Sequence, residues 1–490
     1  MQNAPIPPIG RQILWIISAM VLCIVVPLLV HEATGGPQNE RNAWWSIAII
    51  VFSGMAYAAV LASSTRQLFA MVLWLFTYLF MGVAPYVQYR LNVFPSTTPD
   101  MNQTLIPTAG ILVLASSVAV IVGGWITNRQ QWSRHAVVQA VVDRRRANWL
   151  TIFGIGLFLF YGSRVGFTSF LLSRTDLAAV RGAAWGNSAT SALLTGALQM
   201  VLLVAFIAQM TLRRQPKSGG RRAAAMPALI SGALLLYTVN PISSPRYVFG
   251  TVALAVLGAL GAYATVTRFR VMAVAALVGM LTLFPLADLF RYSRDATVKV
   301  EGPIVAMTSG DFDAFAQIVN TLTYVDAQGV TWGWQMLGVL LFWVPRSIWP
   351  NKPHDTGIVL AEFMRYDFTN LSSPIWAELL INFGWVGVII GMGLIGYWFR
   401  IWDARTHLYL RTHSIPPVVV CVVAFYLLIV LRGSLLNAAS YLLVILLASW
   451  FVAWKPPRRT APAPQSRGVH EGPAAGADRR RVNSTGAHST

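Results

Sequence analysis

Long apolar runs separated by short polar breaks fill most of this chain. Residues 13–30, 43–63, 105–126 and 247–267 carry no Asp, Glu, Lys or Arg. Each holds about 18–22 residues, the length a helix needs to cross ~30 Å of hydrocarbon. A transmembrane β-barrel would instead show roughly ten-residue segments of alternating polarity. The pattern predicts an all-α polytopic membrane protein of about twelve transmembrane helices. They lie near 13–30, 43–63, 68–87, 105–126, 148–163, 187–212, 225–240, 246–267, 271–290, 374–399, 415–431 and 436–454.

Thr331–Val344 (TWGWQMLGVLLFWV) is equally apolar, but it has only 14 residues and Pro345 follows it. That length suits a re-entrant or interfacial segment better than a span. Residues 291–373 therefore read as one large external loop with membrane-hugging helices, between helices 9 and 10. The alternative is a plain extra span.

Charge gives these segments their sides. With both termini cytoplasmic, 24 of the 37 Lys/Arg fall on inside segments, while fourteen of the 18 Asp/Glu fall outside or at the outer boundary. Positive residues set orientation, so both termini are expected inside. If Thr331–Val344 spanned, the basic loop Arg400–Arg411 would flip outward. Residues 1–454 form the transmembrane domain, and 455–490, rich in Pro, Gly, Ala and Arg, read as a disordered cytoplasmic tail. Its basic runs suit anionic lipid better than nucleic acid. The first eleven residues lack the charged start and cleavage site of a signal peptide, so 13–30 is expected to stay as an anchor.

Composition narrows the chemistry. Charged residues make up 11% of the chain and apolar ones 56%, which excludes an ordinary soluble enzyme and a disordered protein. Cys23 and Cys421 both sit inside apolar spans, which argues against a disulfide framework or a cysteine metal site. Ionisable groups are absent from the predicted mid-membrane region, against a pump or antiporter. The outer face keeps an unusual set of cations: Arg164, Arg174, Arg181, Arg246, Arg291, Arg294, Arg346, Lys352, Arg365 and Arg432. Arginine grips phosphate with a planar fork. The competing reading is snorkelling toward lipid phosphates.

Within that set, Arg174 and Arg181 are seven apart and share a helical face. In NPISSPRYVFG, Ser244 is expected to cap a helix with Pro245 at its first position. Arg246 would then sit in the first turn, where the helix dipole disfavours a cation unless an anion shares the site. A salt bridge to Asp288 is the rival explanation. Glu378, one turn inside a helix beginning after Ser373-Pro374, could take a proton, hold an arginine, or simply complement the dipole. His354-Asp355 is a weaker base–orienter pair, because adjacent side chains rarely face each other.

The stretch DFDAFAQIVNTLTYVDAQGVTWGWQMLGVLLFWVPRSIWPNKP (311–353), with SSPIWAELLINFGWVGVIIG (372–391), resembles the O-antigen or oligosaccharide repeat-unit polymerase family (Wzy type). GSRVGF (162–167) with RTDL and RG (174–182), and SSPRYVFG (243–250), resemble it too. The likeness covers about a quarter of the chain, and its most specific part is PR-x-x-W-P-x-K-P followed by E-x-x-x-N-F-G. It implies a GT-C-like membrane glycosyltransferase at the outer face of a bacterial plasma membrane. A growing glycan on undecaprenyl diphosphate would be moved onto a newly flipped lipid-linked repeat unit, without a metal or other cofactor. Chain-length regulator and flippase proteins would be its partners, and nucleic acid would not. The resemblance suggests Arg164, Arg174, Arg181, Arg246, Arg291 and Arg346 as phosphate and glycan ligands, with Lys352 and His354 beside them. Within that scheme Glu378, Arg246 and Arg291 are the candidate catalytic residues.

Three other readings stay open. An O-antigen-ligase-like transferase would use the same donor with another acceptor, and His354, the only His of the large loop, would serve it. A dolichol-phosphate-type enzyme would need an acidic pair after the first span, where only Glu32 and the separate Glu40 occur. A lipid-linked-sugar flippase would need a charged cavity reaching mid-membrane.

Overall fold

The computed structural model describes residues 7–35, 41–127, 141–186, 188–215, 220–284 and 302–454. Arg291, Arg294, Asp288 and the tail 455–490 lie outside the described residues. Among the described residues, eight helices are long and apolar enough to cross a membrane. They are α1 (Ile9–Ala33), α2 (Trp44–Ala62), α3 (Leu68–Leu91), α4 (Gln103–Ile126), α7 (Ser188–Arg214), α10 (Val266–Leu283), α14 (Ile375–Tyr409) and α16 (Leu435–Val452). Between them run α5 (Arg144–Val165), α6 (Arg174–Trp185) and three shorter apolar helices, α8 (Ala225–Thr238), α9 (Arg246–Ala259) and α15 (Val418–Arg432). The chain is thus a helical, multi-pass membrane protein. Its described strands are the two-residue β1 (Val141–Val142) and β2 (Ala453–Trp454), paired antiparallel.

A helix occupies each of the twelve expected segments, but several bounds differ. Helix α9 stops at Ala259 rather than near 267, because Gly261 turns the chain with φ +88°. Ser244 is not the cap of α9. Pro245 holds that position, and the Ser244 hydroxyl accepts the Asn240 N–H inside the preceding turn.

Central helix α3 has 94% of its apolar window buried, whereas α1 has 11% and faces outward. Both carry an internal proline two residues after a stretch of π-helix, Val21–Val25 before Pro27 and Thr77–Val83 before Pro85. The wider turn absorbs the missing N–H and the ring clash that would otherwise break the helix. Helices α4 and α14 approach backbone to backbone. A Cβ on Gly123 would collide with the Gly393 carbonyl, and one on Gly396 with that of Val120. Small residues allow this closeness, and dispersion between the backbones replaces the hydrophobic drive that lipid cannot supply. Trp376 of α14 locks the crossing by donating its indole N–H to Ser116 at 2.7 Å.

The connecting segments bond in two separate groups. At one end, Arg66 reaches the carbonyls of Ala264, His407 and Leu410, Arg270 those of Leu61 and Ser63, and Asp143 N–H that of Val452. At the other, Gln88 donates to the carbonyls of Met307 and Phe312, Asn240 to that of Phe170, and Tyr237 to that of Phe167.

Residues 302–373 fold against this second end. They form α11 (Ala314–Gln328), α12 (Trp334–Leu340) and α13 (Thr356–Met364). Helix α12 has seven residues, about 10 Å at 1.5 Å per residue, far short of a bilayer. The expectation of membrane-hugging helices fails for α11: Ala314 to Leu322 are all buried, with Phe315 stacked on Trp45 at 4.7 Å. This helix belongs to the core.

Candidate functional site

The motif E-x-x-x-N-F-G takes physical meaning at the start of α14. Gly384 adopts φ +66°, ψ −161°, a conformation reserved for glycine, and splits the helix after Phe383. The break frees the carbonyls of Ile381 and Asn382, which accept the N–H groups of Thr331 (2.8 Å) and Gly333 (3.2 Å). Asn382 Oδ1 accepts the Met336 N–H at 3.0 Å. The helix is broken where the 302–373 segment docks.

Glu378 lies on the N-terminal piece of α14 and is fully buried. Its Oε2 accepts the Thr356 hydroxyl at 2.8 Å, and its Oε1 accepts the Leu435 N–H at 3.0 Å. The carboxylate therefore ties the first residue of α16 to the first residue of α13. Beside it, Asp355 caps α13 by accepting the Gly357 N–H at 2.9 Å. Burial raises the Asp355 pKa, and the Ser434 hydroxyl and the Gly357 N–H oppose that rise. With Asp355 committed to the cap and His354 exposed, the two do not form a base–orienter pair.

Arg246 opens α9 and pairs with Asp311, at 2.8 Å, while donating to the Phe284 carbonyl at 3.0 Å; the expected rival partner Asp288 lies outside the described residues. Arg432, three residues before Leu435, bonds Asp313 at 3.1 Å and the carbonyls of Gly310 and Asp311. Its guanidinium lies 4.6 Å from the centre of the Tyr247 ring. Asp313 also accepts the Ser372 hydroxyl at 2.7 Å. Two arginines from helix ends thus pin the segment 310–313, and Arg432 leads directly into the contact made by Glu378.

Arg346 and Lys352 are turned inward upon their own loop. Arg346 donates to the carbonyls of Lys352 and Pro353, and the Lys352 ammonium to those of Phe342 and Val344. Burial, then the neighbouring Arg346 charge, lowers the Lys352 pKa. These cations close the hairpin that follows α12.

Another arrangement surrounds α6. Ser173 caps this helix, so Arg174 and Arg181 lie two turns apart on one side as their spacing requires. Arg181 stands over the Tyr161 ring at 6.0 Å, and Trp185, one turn on, packs 5.8 Å from the same ring. The Nε–H of Arg181 and the indole N–H of Trp185 are both buried with no acceptor among the described residues. Tyr441 of α16 lies near enough to feel the Arg181 charge. Arg164 is exposed in the last turn of α5, where the dipole favours a cation.

The structure therefore brings Arg174 and Arg181 together on α6 and Arg246 into a separate network. It gives Arg346, Lys352 and Glu378 internal partners. Asp311, Asp313 and Trp185 carry geometry that the sequence reading did not single out. Trp185 stands four residues after Arg181, and that helical spacing was its available signal. Comparison with family models, curated proteins and solved structures gives no match, so the functional reading rests on these residues.

Proposed function

We propose that this chain is a membrane glycosyltransferase that polymerises undecaprenyl-diphosphate-linked oligosaccharide repeat units into a surface polysaccharide, at the outer face of a bacterial plasma membrane. The observation that carries this reading is the pair of buried, acceptor-seeking donors on α6, Arg181 Nε–H and Trp185 Nε1–H, against the face of Tyr161. A buried donor left without an acceptor costs about 1–3 kcal/mol, so a ligand rich in acceptor oxygens is favoured there. Phosphate suits the guanidinium, and a sugar suits an aromatic wall with a hydrogen-bonding edge.

In the reaction, an acceptor hydroxyl attacks the anomeric carbon of the donor glycan. The bond to diphosphate breaks, its electron pair leaves on the lipid diphosphate, and the hydroxyl proton is released to water. Arg181, with Arg174 and Arg164, would stabilise that developing charge. Arg246, Arg432 and Glu378 would act as positioning residues, through the loop segments and helix ends they hold. Twelve crossings with both termini inside fit the two bonding groups of connecting segments and the distribution of Lys and Arg.

The test uses purified protein and lipid-linked repeat units. Arg181→Gln and Trp185→Phe should each lower chain growth at least tenfold while the protein remains folded. Full activity in both variants would overturn the reading. A ligase-like alternative draws on the exposed His354. Deletion would then accumulate complete lipid-linked chains, whereas a polymerase leaves single outward-facing units.

A further inference from the structure

Two tyrosines from different helices are held beside the α6 donors by consecutive residues of α7. Tyr161 of α5 is buried, and its hydroxyl lies 2.8 Å from that of Thr195. The Thr195 hydroxyl gives its own proton to the Ser191 carbonyl at 2.7 Å, so Tyr161 is the donor of the pair. That bond fixes the ring on which Arg181 and Trp185 rest. Gly196, the next residue, packs against the ring of Tyr441 from α16, and a Cβ at this position would collide with the ring edge. Tyr441 lies near enough to feel both Arg181 and Tyr161. The Glu378 contact at Leu435 anchors the start of α16, and Tyr441 follows about 9 Å further along the helix axis.

The Tyr441 hydroxyl stands apart from others in the bundle. Tyr57, Tyr78 and Tyr426 each give their proton to a backbone carbonyl, those of Ala273, Leu22 and Ala438. Tyr441 is half-buried, and its hydroxyl has no hydrogen-bond partner among the described residues. It joins Arg181 Nε–H and Trp185 Nε1–H as a third open polar group at one place. The three differ in kind. Guanidinium and indole N–H groups only donate, whereas a phenol hydroxyl also accepts. Phosphate oxygens need donors alone. A sugar hydroxyl brings a proton of its own, which Arg181 and Trp185 cannot receive.

We infer that Tyr441 is a specificity-determining residue of this site, its hydroxyl accepting a hydrogen bond from a hydroxyl of the sugar that adjoins the diphosphate. The inference rests on the reading of α6 as the place where phosphate and sugar are held. Arg181 then serves every lipid diphosphate, with or without a glycan. Tyr441 serves only those that carry a sugar hydroxyl in the right place, and Gly196 supplies the clearance that lets its ring lie there.

The experiment measures binding of two lipids to the purified full chain. One is the lipid-linked repeat unit that accumulates in cells lacking this protein; the other is undecaprenyl diphosphate, which has the phosphates but no sugar. Tyr441→Phe removes one oxygen and keeps the ring. It should weaken binding of the repeat unit about tenfold, the effect of losing one hydrogen bond, and leave undecaprenyl diphosphate unaffected. Arg181→Gln should weaken both. Gly196→Ala displaces the ring without removing a polar group and should reproduce the Phe variant. Unchanged binding of the repeat unit by Tyr441→Phe, with both lipids lost in Arg181→Gln, would overturn the inference and leave the reading of α6 standing. So would wild-type binding of the repeat unit by folded Gly196→Ala protein. Equal weakening of both lipids by Tyr441→Phe would refute the sugar contact. Wild-type binding of both lipids by Arg181→Gln would remove the α6 reading itself and the inference with it. If Gly196→Ala fails to fold, Tyr441→Phe decides alone.

Discussion

The Arg246 guanidinium lies 2.8 Å from the Asp311 carboxylate, and both side chains are nearly withdrawn from solvent. The arginine expected to hold a substrate anion already holds one of the protein's own. Removing one member of a buried pair costs up to about 3–5 kcal/mol when the other is stranded, and less here because Arg432 stays 3.9 Å from Asp311. Arg246→Ala should therefore unfold at clearly lower temperature and lose chain growth with its folded fraction. Arg246→Met combined with Asp311→Leu replaces both charges by apolar groups, which is often close to neutral in stability. The double variant should recover thermal stability and, with the loop still held by Arg432, part of its chain growth. A stable double variant without any activity would assign Arg246 a direct role in transfer.

Glu378 poses the same question for an acid. Both of its oxygens accept hydrogen bonds from groups that begin other helices. Glu378→Gln can keep both contacts, its Oε1 accepting the Leu435 N–H and its NH₂ donating to the Thr356 hydroxyl, which accepts as well as donates. For a positioning residue the expected signature is an unfolding temperature and a turnover per folded molecule that are both nearly unchanged. A loss of about 10²-fold in turnover, with stability and donor binding intact, would instead mark a general base.

Most of the helical plan was legible because membrane crossing imposes length and apolarity on each segment, and those are sequence properties. The short reach of Thr331–Val344 was legible for the same reason. Helix α11 was not, since a buried helix inside an external loop reads like an interfacial one until its partner Trp45 is known. The arginines were visible as a set, but their division was hidden. Arg246 and Arg181 differ in whether an acidic side chain from a distant segment reaches them, and Asp311 does so across 65 positions. Likewise Gly384 could be seen in its motif, but the docking of Thr331 and Gly333 onto the broken helix could not.

The α4–α14 crossing gives a sharper stability test. A methyl group on Gly396 would overlap the Val120 carbonyl, and backbone cannot rotate away as a side chain can. Gly396→Ala should cost about 1–3 kcal/mol through overpacking. Gly124→Ala, whose nearest atom would be the Gly396 carbonyl at 3.8 Å, should leave unfolding unchanged. Equal behaviour of the two variants in a denaturant titration would show that the helices do not cross this closely.

Sidedness can be read by cysteine labelling, provided the chosen position reaches solvent. Asn320, although it belongs to the segment expected outside, is buried and would resist reagent from either side. Trp332 is 84% exposed at the turn before α12, and Thr412 is exposed in the connection that follows α14. In a background with Cys23 and Cys421 replaced, Trp332→Cys should react with a membrane-impermeant maleimide in intact cells. Thr412→Cys should react only after the membrane is opened, because α14 would separate the two positions. Labelling of both from outside would place α14 on one side of the bilayer, and the charge asymmetry would then lose its explanation. Labelling of Trp332→Cys only after permeabilisation would invert the chain, putting the α6 donors in the cytoplasm and ending the case for transfer at the outer face.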